Sequence, residues 1–349
     1  MPKSKKVSSP AQSAERQYRR LRRLYAVMVC TLCIAAVVLC TVAAGRVATG
    51  SPAVSLELFS PAQPAQPAPV TTTLTIPSVR GTDIPATMTV PDNISAESET
   101  PLVVMCHGFT GNRDGDGHFQ PLADTLAKNG IASIRVDFAG NGESTEPFTA
   151  YTLESMYDDI ESAIGYMKDS YTIGPVGLVG HSMGGRAVSL HLSDDIAAAA
   201  LWSPANGNGL DGLEFLDDTP EGREQMRADA AETGEYALSG WNVTISSDFI
   251  EQMDKSHPAD GIRSYSGALL LSFAGGDLGL LSQTTIDDTL QAARDRGTDF
   301  VDLYGQFEDA THNYAAQSGD TAETAEISAR LEDQTAEFLI GALQPDQAA

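Results

Sequence analysis

Apolar residues recur along this chain in two rhythms, one with the two-residue period of a strand and one with the longer period of a helix. Residues 71–78 (TTTLTIPS) and 83–91 (DIPATMTVP) have the short, β-branched character of a hairpin. Residues 101–106 (PLVVMC) are a continuous apolar run, as expected of a strand buried on both faces. A helical stretch at 119–128 is followed by a strand at 131–136, which runs into the turn-rich DFAGNGEST. From 152 to 170 a helical period places Leu153, Met156, Tyr157, Ile160, Ile164 and Met167 on one face. A strand at 176–179 and a helix at 184–192 come next, then strands at 197–202, 269–273 and 300–303, and a closing helix at 323–343. Strands alternating with helices predict an α/β fold with a mainly parallel sheet covered on both faces.

Residues 204–262 break the alternation with sequence rich in Gly, Asp and Glu, anchored by Leu213, Phe215, Leu216, Tyr236, Trp241, Ile245 and Phe249. An insertion of this length above the strand ends is expected to form a lid. A surface decoration is the plainer alternative.

The N-terminus reads differently. Residues 1–23 carry a cluster of Lys and Arg, and the uncharged segment 24–45 is long enough to span a bilayer as a helix. With the positive flank N-terminal, the remainder is expected outside the cell membrane as a single-pass protein. A cleaved signal peptide is the competing reading, with Val42-Ala43-Ala44 as small residues for processing; it would make the protein secreted. Leu39 before Cys40 is bulky for a lipoprotein signal. Residues 46–70, rich in Pro and Ala, read as a spacer, and 71–345 as one domain.

Charge sharpens this division. The chain carries −25 overall. Residues 1–46 hold nine basic residues and one acid, leaving 13 basic against 46 acidic residues, a net −33, in 47–349. Such a domain repels nucleic acid and anionic headgroups. Of the four cysteines only Cys106 lies in the domain, so no disulfide framework is expected. Cys106 ends a buried strand and is a weak nucleophile candidate beside the serine that follows.

Residues 178–186 read LVGHSMGGR, with Gly180-His181-Ser182-Met183-Gly184 fitting G-x-S-x-G between a strand and a helix. That context predicts a nucleophile elbow, in which the serine sits on a sharp turn above the sheet. Glycines flank it because a Cβ would collide across the turn. The base a serine nucleophile needs is His312, in EDATHNY after the last strand, and the orienting carboxylate is Asp277, directly after strand 269–273. Asp287 and Asp288 are alternatives that fall in a predicted helix. His257 lies in the insertion, His118 and His191 on helices, and His107 and His181 in structural roles. The oxyanion donors are expected to be the backbone N–H of Met183 and, from the loop His107-Gly108-Phe109-Thr110-Gly111, that of Phe109. No metal is expected, because no ligand cluster occurs at metal spacing, and no nucleotide cofactor, because HGFTGN lacks the glycine register of a phosphate cradle.

The stretches HGFTGNR (107–113), IASIRVDFAGNGES (131–144), VGHSMGG (179–185), LWSPA (201–205) and ATHNY (310–314) together resemble the α/β-hydrolase superfamily. The resemblance is to its cinnamoyl/feruloyl-esterase-like group, related to serine aminopeptidase and monoglyceride-lipase type hydrolases. It implies an α/β-hydrolase fold, a Ser182, Asp277, His312 triad, an oxyanion hole at Phe109 and Met183, and a lid at 204–262. Feruloyl-active relatives hold a phenolic hydroxyl with a lid tyrosine, whereas the matching Gly240-Trp241-Asn242 offers none. The expected activity is ester cleavage through an acyl-enzyme, on a small ester or short peptide. A peptidase with the same triad would need an acid in the lid for the substrate ammonium, with Glu214, Asp217 and Asp218 as candidates. A non-catalytic extracellular binding protein on the same fold would not need all three triad members.

Overall fold

The computed structural model describes residues 68–95 and 97–344. The basic segment, the 24–45 span and almost all of the spacer lie outside the described residues. Among the described residues no helix is long and apolar enough to cross a membrane.

The chain opens with the antiparallel hairpin β1 (Pro69–Pro77) and β2 (Asp83–Pro91). Then come β3 (Thr100–Cys106), α1 (Phe119–Lys128), β4 (Ala132–Val136), α2 (Leu153–Ser170), β5 (Ile173–His181), α3 (Met183–His191) and β6 (Ile196–Trp202). The insertion contributes α4 (Pro220–Thr233), an antiparallel pair β7 (Glu235–Leu238) and β8 (Val243–Ser246), and α5 (Ser247–Asp254). The domain closes with α6 (Pro258–Ser264), β9 (Ala268–Ser272), α7 (Gln283–Asp295), β10 (Val301–Asp302) and α8 (Thr321–Leu343).

Eight strands form one sheet in the order β1-β2-β4-β3-β5-β6-β9-β10, parallel from β4 onward. β3 sits centrally, with β4 on one side and β5 on the other. The chain therefore reverses its direction of winding between β3 and β5, and the loops leaving these strands flank a crevice at their carboxyl ends.

Two apolar layers cover the sheet. Along β3, Leu102, Val104 and Cys106 enter one layer with α2 and α3, while Val103 and Met105 enter the other with α1 and α8. This is the two-residue period expected of a strand buried on both faces. α1 buries Phe119, Leu122, Ala123, Leu126 and Ala127, one helical stripe. In α2 the predicted face is buried apart from half-buried Tyr157, and a reciprocal cap between Thr152 and Ser155 starts the helix.

The insertion is more regular than its composition suggests. Leu213, Leu216, Ile245 and Phe249 are buried, and Phe215, Tyr236 and Trp241 pack against the same core. Its last part differs from the expectation: α6 lies against α3 and α7 and buries Ala259 and Ile262 in the core.

Candidate functional site

The residue at the elbow is forced into its position by its neighbours. Ser182 has φ 53° and ψ −116°, a strained conformation for a non-glycine residue, at the junction of β5 and α3. A Cβ on Gly184 would lie 2.1 Å from the Cys106 carbonyl oxygen, and one on Gly180 would lie 2.6 Å from the Gly184 oxygen. Only hydrogen at both places lets the turn close. The Ser182 hydroxyl opens onto a cavity of about 200 Å³ that His312 also lines. Among the described residues that hydroxyl has no hydrogen-bond partner.

The histidine and the aspartate arrive from separate loops that pack backbone to backbone. Gly275 N–H donates to Phe307 C=O and Gly276 N–H to Ala310 C=O, each at 2.8 Å. A Cβ on Gly276 would lie 2.8 Å from Thr311 Cα, so the AGGD glycines permit this approach. It brings His312 Nδ1 to 2.6 Å from Asp277 Oδ1, with Asp277 fully buried. The second carboxylate oxygen accepts from Ser203 Oγ at 2.8 Å and from Ala274 N–H at 2.7 Å. Ser203 also reaches Tyr314 Oη at 3.0 Å, and Tyr314 donates to Ser272 Oγ at 2.9 Å. A buried carboxylate with all these donors stays an acceptor for His312, whose Nε2 is left for chemistry. Ser203 and Tyr314 carried no assigned role in the sequence, although both sit in the LWSPA and ATHNY stretches.

The opposite wall is the loop after β3. Phe138 N–H donates to His107 Nε2 at 3.1 Å, so Nδ1 carries the proton and donates to Gly108 C=O at 2.8 Å. Burial pulls His107 down to about 4, which keeps it neutral. The loop is also tied to the turn after β4. Asp137 accepts from the Arg113 guanidinium, from Arg113 N–H at 2.7 Å and from Glu143 N–H at 2.9 Å. HGFTGNR and DFAGNGES are thus two halves of one fastening. Met183 N–H, in the first turn of α3, and Phe109 N–H donate to no other part of the described chain. Both amides remain available to a developing oxyanion.

Phe109 also joins this wall to the insertion. Its ring meets Phe148, Tyr151, Phe215 and Trp241 edge-on at 5.2–5.7 Å. Trp241 Nε1 donates to Phe215 C=O at 3.0 Å. Phe109, Phe215, Trp241, Leu280 and Leu281 make the apolar side of the cavity, and Asn112, Asp116, His181 and Asn313 its polar side. Arg186, buried in α3, donates to the carbonyls of Ala205 and Gly207 at 2.6 and 2.7 Å, which roots the insertion to the elbow helix. Burial lowers Arg186 to about 9, so it is still charged at neutral pH.

Other candidates fall away. Cys106 is fully buried and its thiol is pushed far up by burial. Asp287 and Asp288 lie in α7. Glu214, Asp217 and Asp218 do not line the cavity, and Asp217 is engaged with Thr219. His118 is held by Glu332 and the Asn313 carbonyl, each at 3.0 Å. Among the described residues no cluster suits a metal ion.

A family model described as the alpha/beta hydrolase fold matches residues 101–277, just over half of the chain. The chain belongs to the α/β-hydrolase fold family. A curated relative, the 2-(acetamidomethylene)succinate hydrolase of Mesorhizobium japonicum, is 34% identical over 94 residues. That alignment covers 27% of this chain and spans only 31% of the relative's length. Among solved structures, Est1E of Butyrivibrio proteoclasticus with ferulic acid bound is similar at a TM-score of 0.55 and 20% identity, over 76% of this chain and 99% of that one. A Pyrococcus furiosus esterase matches at 0.53 and 18%, over 78% and 91%. The acylaminoacyl peptidase of Pyrococcus horikoshii matches at 0.53 and 14%, over 79% of this chain and 42% of its own. At these identities the structural likeness carries the fold. It agrees with the resemblance read from the motifs.

Proposed function

We propose that this α/β-hydrolase is a serine hydrolase that cleaves carboxylic esters. One arrangement supports the reading: a strained serine and a histidine tied to a buried carboxylate open onto the same cavity. Ser182 Oγ attacks the ester carbonyl as His312 Nε2 takes its proton. Phe109 N–H and Met183 N–H stabilise the oxyanion, and Asp277 stabilises the imidazolium. Collapse breaks the bond to the leaving alkoxide, which receives the proton from His312. Water, activated by the same histidine, then releases the carboxylic acid and restores Ser182.

Phe215, Trp241, Leu280 and Leu281 suit an apolar acyl group of modest size. Esters are favoured over peptides, because the three lid acids that a peptidase reading invoked do not face the cavity, and the acid that does, Asp116, stands on the polar side with His181 and His312 rather than among the lid side chains. A binding protein would have no use for the hydrogen bonds spent on Asp277. The basic and apolar N-terminal pattern supports placing the enzyme outside the cytoplasmic membrane, tethered or released.

The test is fluorophosphonate labelling of the purified full-length protein beside Ser182→Ala, followed by assay of p-nitrophenyl esters of increasing chain length, methyl ferulate and aminoacyl anilides. Labelling and ester turnover that vanish in the variant are expected. A folded wild-type protein that neither labels nor turns over esters would overturn the reading.

A further inference from the structure

On the polar side of the cavity two hydrogen-bond acceptors face each other. His181 Nε2 lies 3.1 Å from the His312 carbonyl oxygen, which accepts only, so Nε2 must carry the proton. The ring is buried, and burial together with neighbouring His312 keeps it neutral. Its Nδ1 is therefore a bare lone pair. The group opposite is Asp116 Oδ2, 3.8 Å away. This is too far for a hydrogen bond, and a carboxylate has no proton to offer. Among the described residues no lysine or arginine pairs with Asp116. His118, the nearest basic side chain in sequence, spends both ring nitrogens on Glu332 and Asn313 and acts on Asp116 only as a nearby charge. Both Asp116 and His181 line the cavity beside His312.

The position of this pair relates to the reaction. His312 hands its proton to the leaving alcohol, so a group beside His312 meets the leaving-group side of the substrate, while the aromatic and leucine side chains receive the acyl group. Two converging acceptors, one of them on a side chain open to solvent, are complementary to a donor, and a carboxylate in a domain segment of net −33 favours a positive one. We propose that Asp116 and Nδ1 of His181 form a subsite for a protonated amine carried on the leaving alcohol. The inference rests on the ester-hydrolase reading and adds to it the substrate class, esters of amino alcohols.

Three esters of one acyl group separate the contributions: 2-(dimethylamino)ethyl, which offers a charge and an N–H; 2-(trimethylammonio)ethyl, which offers the charge alone; and neutral 3,3-dimethylbutyl. They are assayed on the purified full-length protein and on Asp116→Asn, with fluorophosphonate labelling to show that each site is folded. In the wild type kcat/KM is expected to be about tenfold or more higher for the dimethylamino ester than for the neutral one, with the trimethylammonio ester between, as for a hydrogen bond to a charged group. In Asp116→Asn the ratio should fall toward one. Equal kcat/KM for the charged and neutral esters in the wild type, or a preference that survives in a labelled Asp116→Asn, would overturn the subsite and leave the esterase standing. Turnover of none of the three would remove the ester reading and the subsite with it.

Discussion

At the β5–α3 turn the cavity wall is made of backbone against backbone. Gly180 and Gly184 leave no room for a side chain, and Ser182 takes a left-handed conformation because the turn admits no other. Across the cavity, the segment from Leu213 to Phe249 is held by side chains: the rings of Phe215, Trp241 and Phe249 gather on Phe109, and one indole hydrogen bond reaches Phe215. The first kind of wall cannot yield without unfolding, since backbone atoms have nowhere to go. The second can lose a contact and repack, at the smaller cost of an aromatic pair. The proposed ester hydrolysis would draw on both, a nucleophile fixed in place and a cover that adapts to its substrate.

The largest effect should come from Gly184→Ala. Its Cβ would meet the Cys106 carbonyl at 2.1 Å, and stability should fall by about 3 kcal/mol or more, at the upper end of overpacking costs. Urea denaturation followed by circular dichroism measures it; a wild-type midpoint would mean that the wall is as pliable as the lid. Next comes Ser203→Ala, which removes a donor from Asp277 without touching the cavity. Its kcat should drop about tenfold to a hundredfold with KM little changed, the effect of losing a hydrogen bond to a charged group. A change confined to KM would count against Ser203 as a positioning residue. Trp241→Ala should raise KM about threefold to tenfold and alter kcat less, as expected from one or two aromatic pairs. Steady-state kinetics on a p-nitrophenyl ester decides between that and a collapse of kcat, which would make the cover as rigid as the elbow.

The smallest effect is one of pH. His107 is pulled down to about 4 by burial, from 6.5. Between these values the unfolded chain binds a proton that the folded one refuses, so the contribution of His107 to stability is present above pH 6.5 and is lost as pH falls toward 4. Asp159, raised to about 6 chiefly by burial, titrates in the opposite sense, so the wild type alone mixes the two. His107→Asn should lower the urea midpoint at pH 7 and shrink its deficit against wild type at pH 5. A deficit that stays constant between the two would show that His107 does not titrate differently in the folded state.

The site was unevenly legible in the sequence. Ser182 and its strained turn could be read from five consecutive residues, because an elbow is a local structure whose glycines are demanded by its own backbone. Asp277 and His312 were legible through their positions after strands, and the distance between them was not. It depends on Gly275 and Gly276 packing against Phe307 and Ala310, residues more than 30 positions away. Ser203 was within reach because it directly follows a strand end, and Tyr314 because it stands two residues after His312, but nothing local marks a serine as a partner of a carboxylate 74 residues on. The lid acids illustrate the same point in reverse. Glu214, Asp217 and Asp218 were named by their segment, whereas the carboxylate in the cavity is Asp116, from the loop after β3.

What the sequence determined by itself was whatever short-range physics dictates. That covers the alternation of strand and helix, the parallel sheet, the elbow, the carboxyl-end placement of the candidate residues and the long apolar segment near the N-terminus. The tertiary structure alone decided which groups face one another. It set the 2.6 Å approach of His312 to Asp277, the network behind it, the choice of Phe109 as the hub between wall and lid, and the opposition of Asp116 to His181. The reason is physical. Backbone propensity and burial act over a few residues and leave their mark in composition and period, whereas a hydrogen bond between distant loops depends on where two separately built strands end, to within a fraction of an ångström.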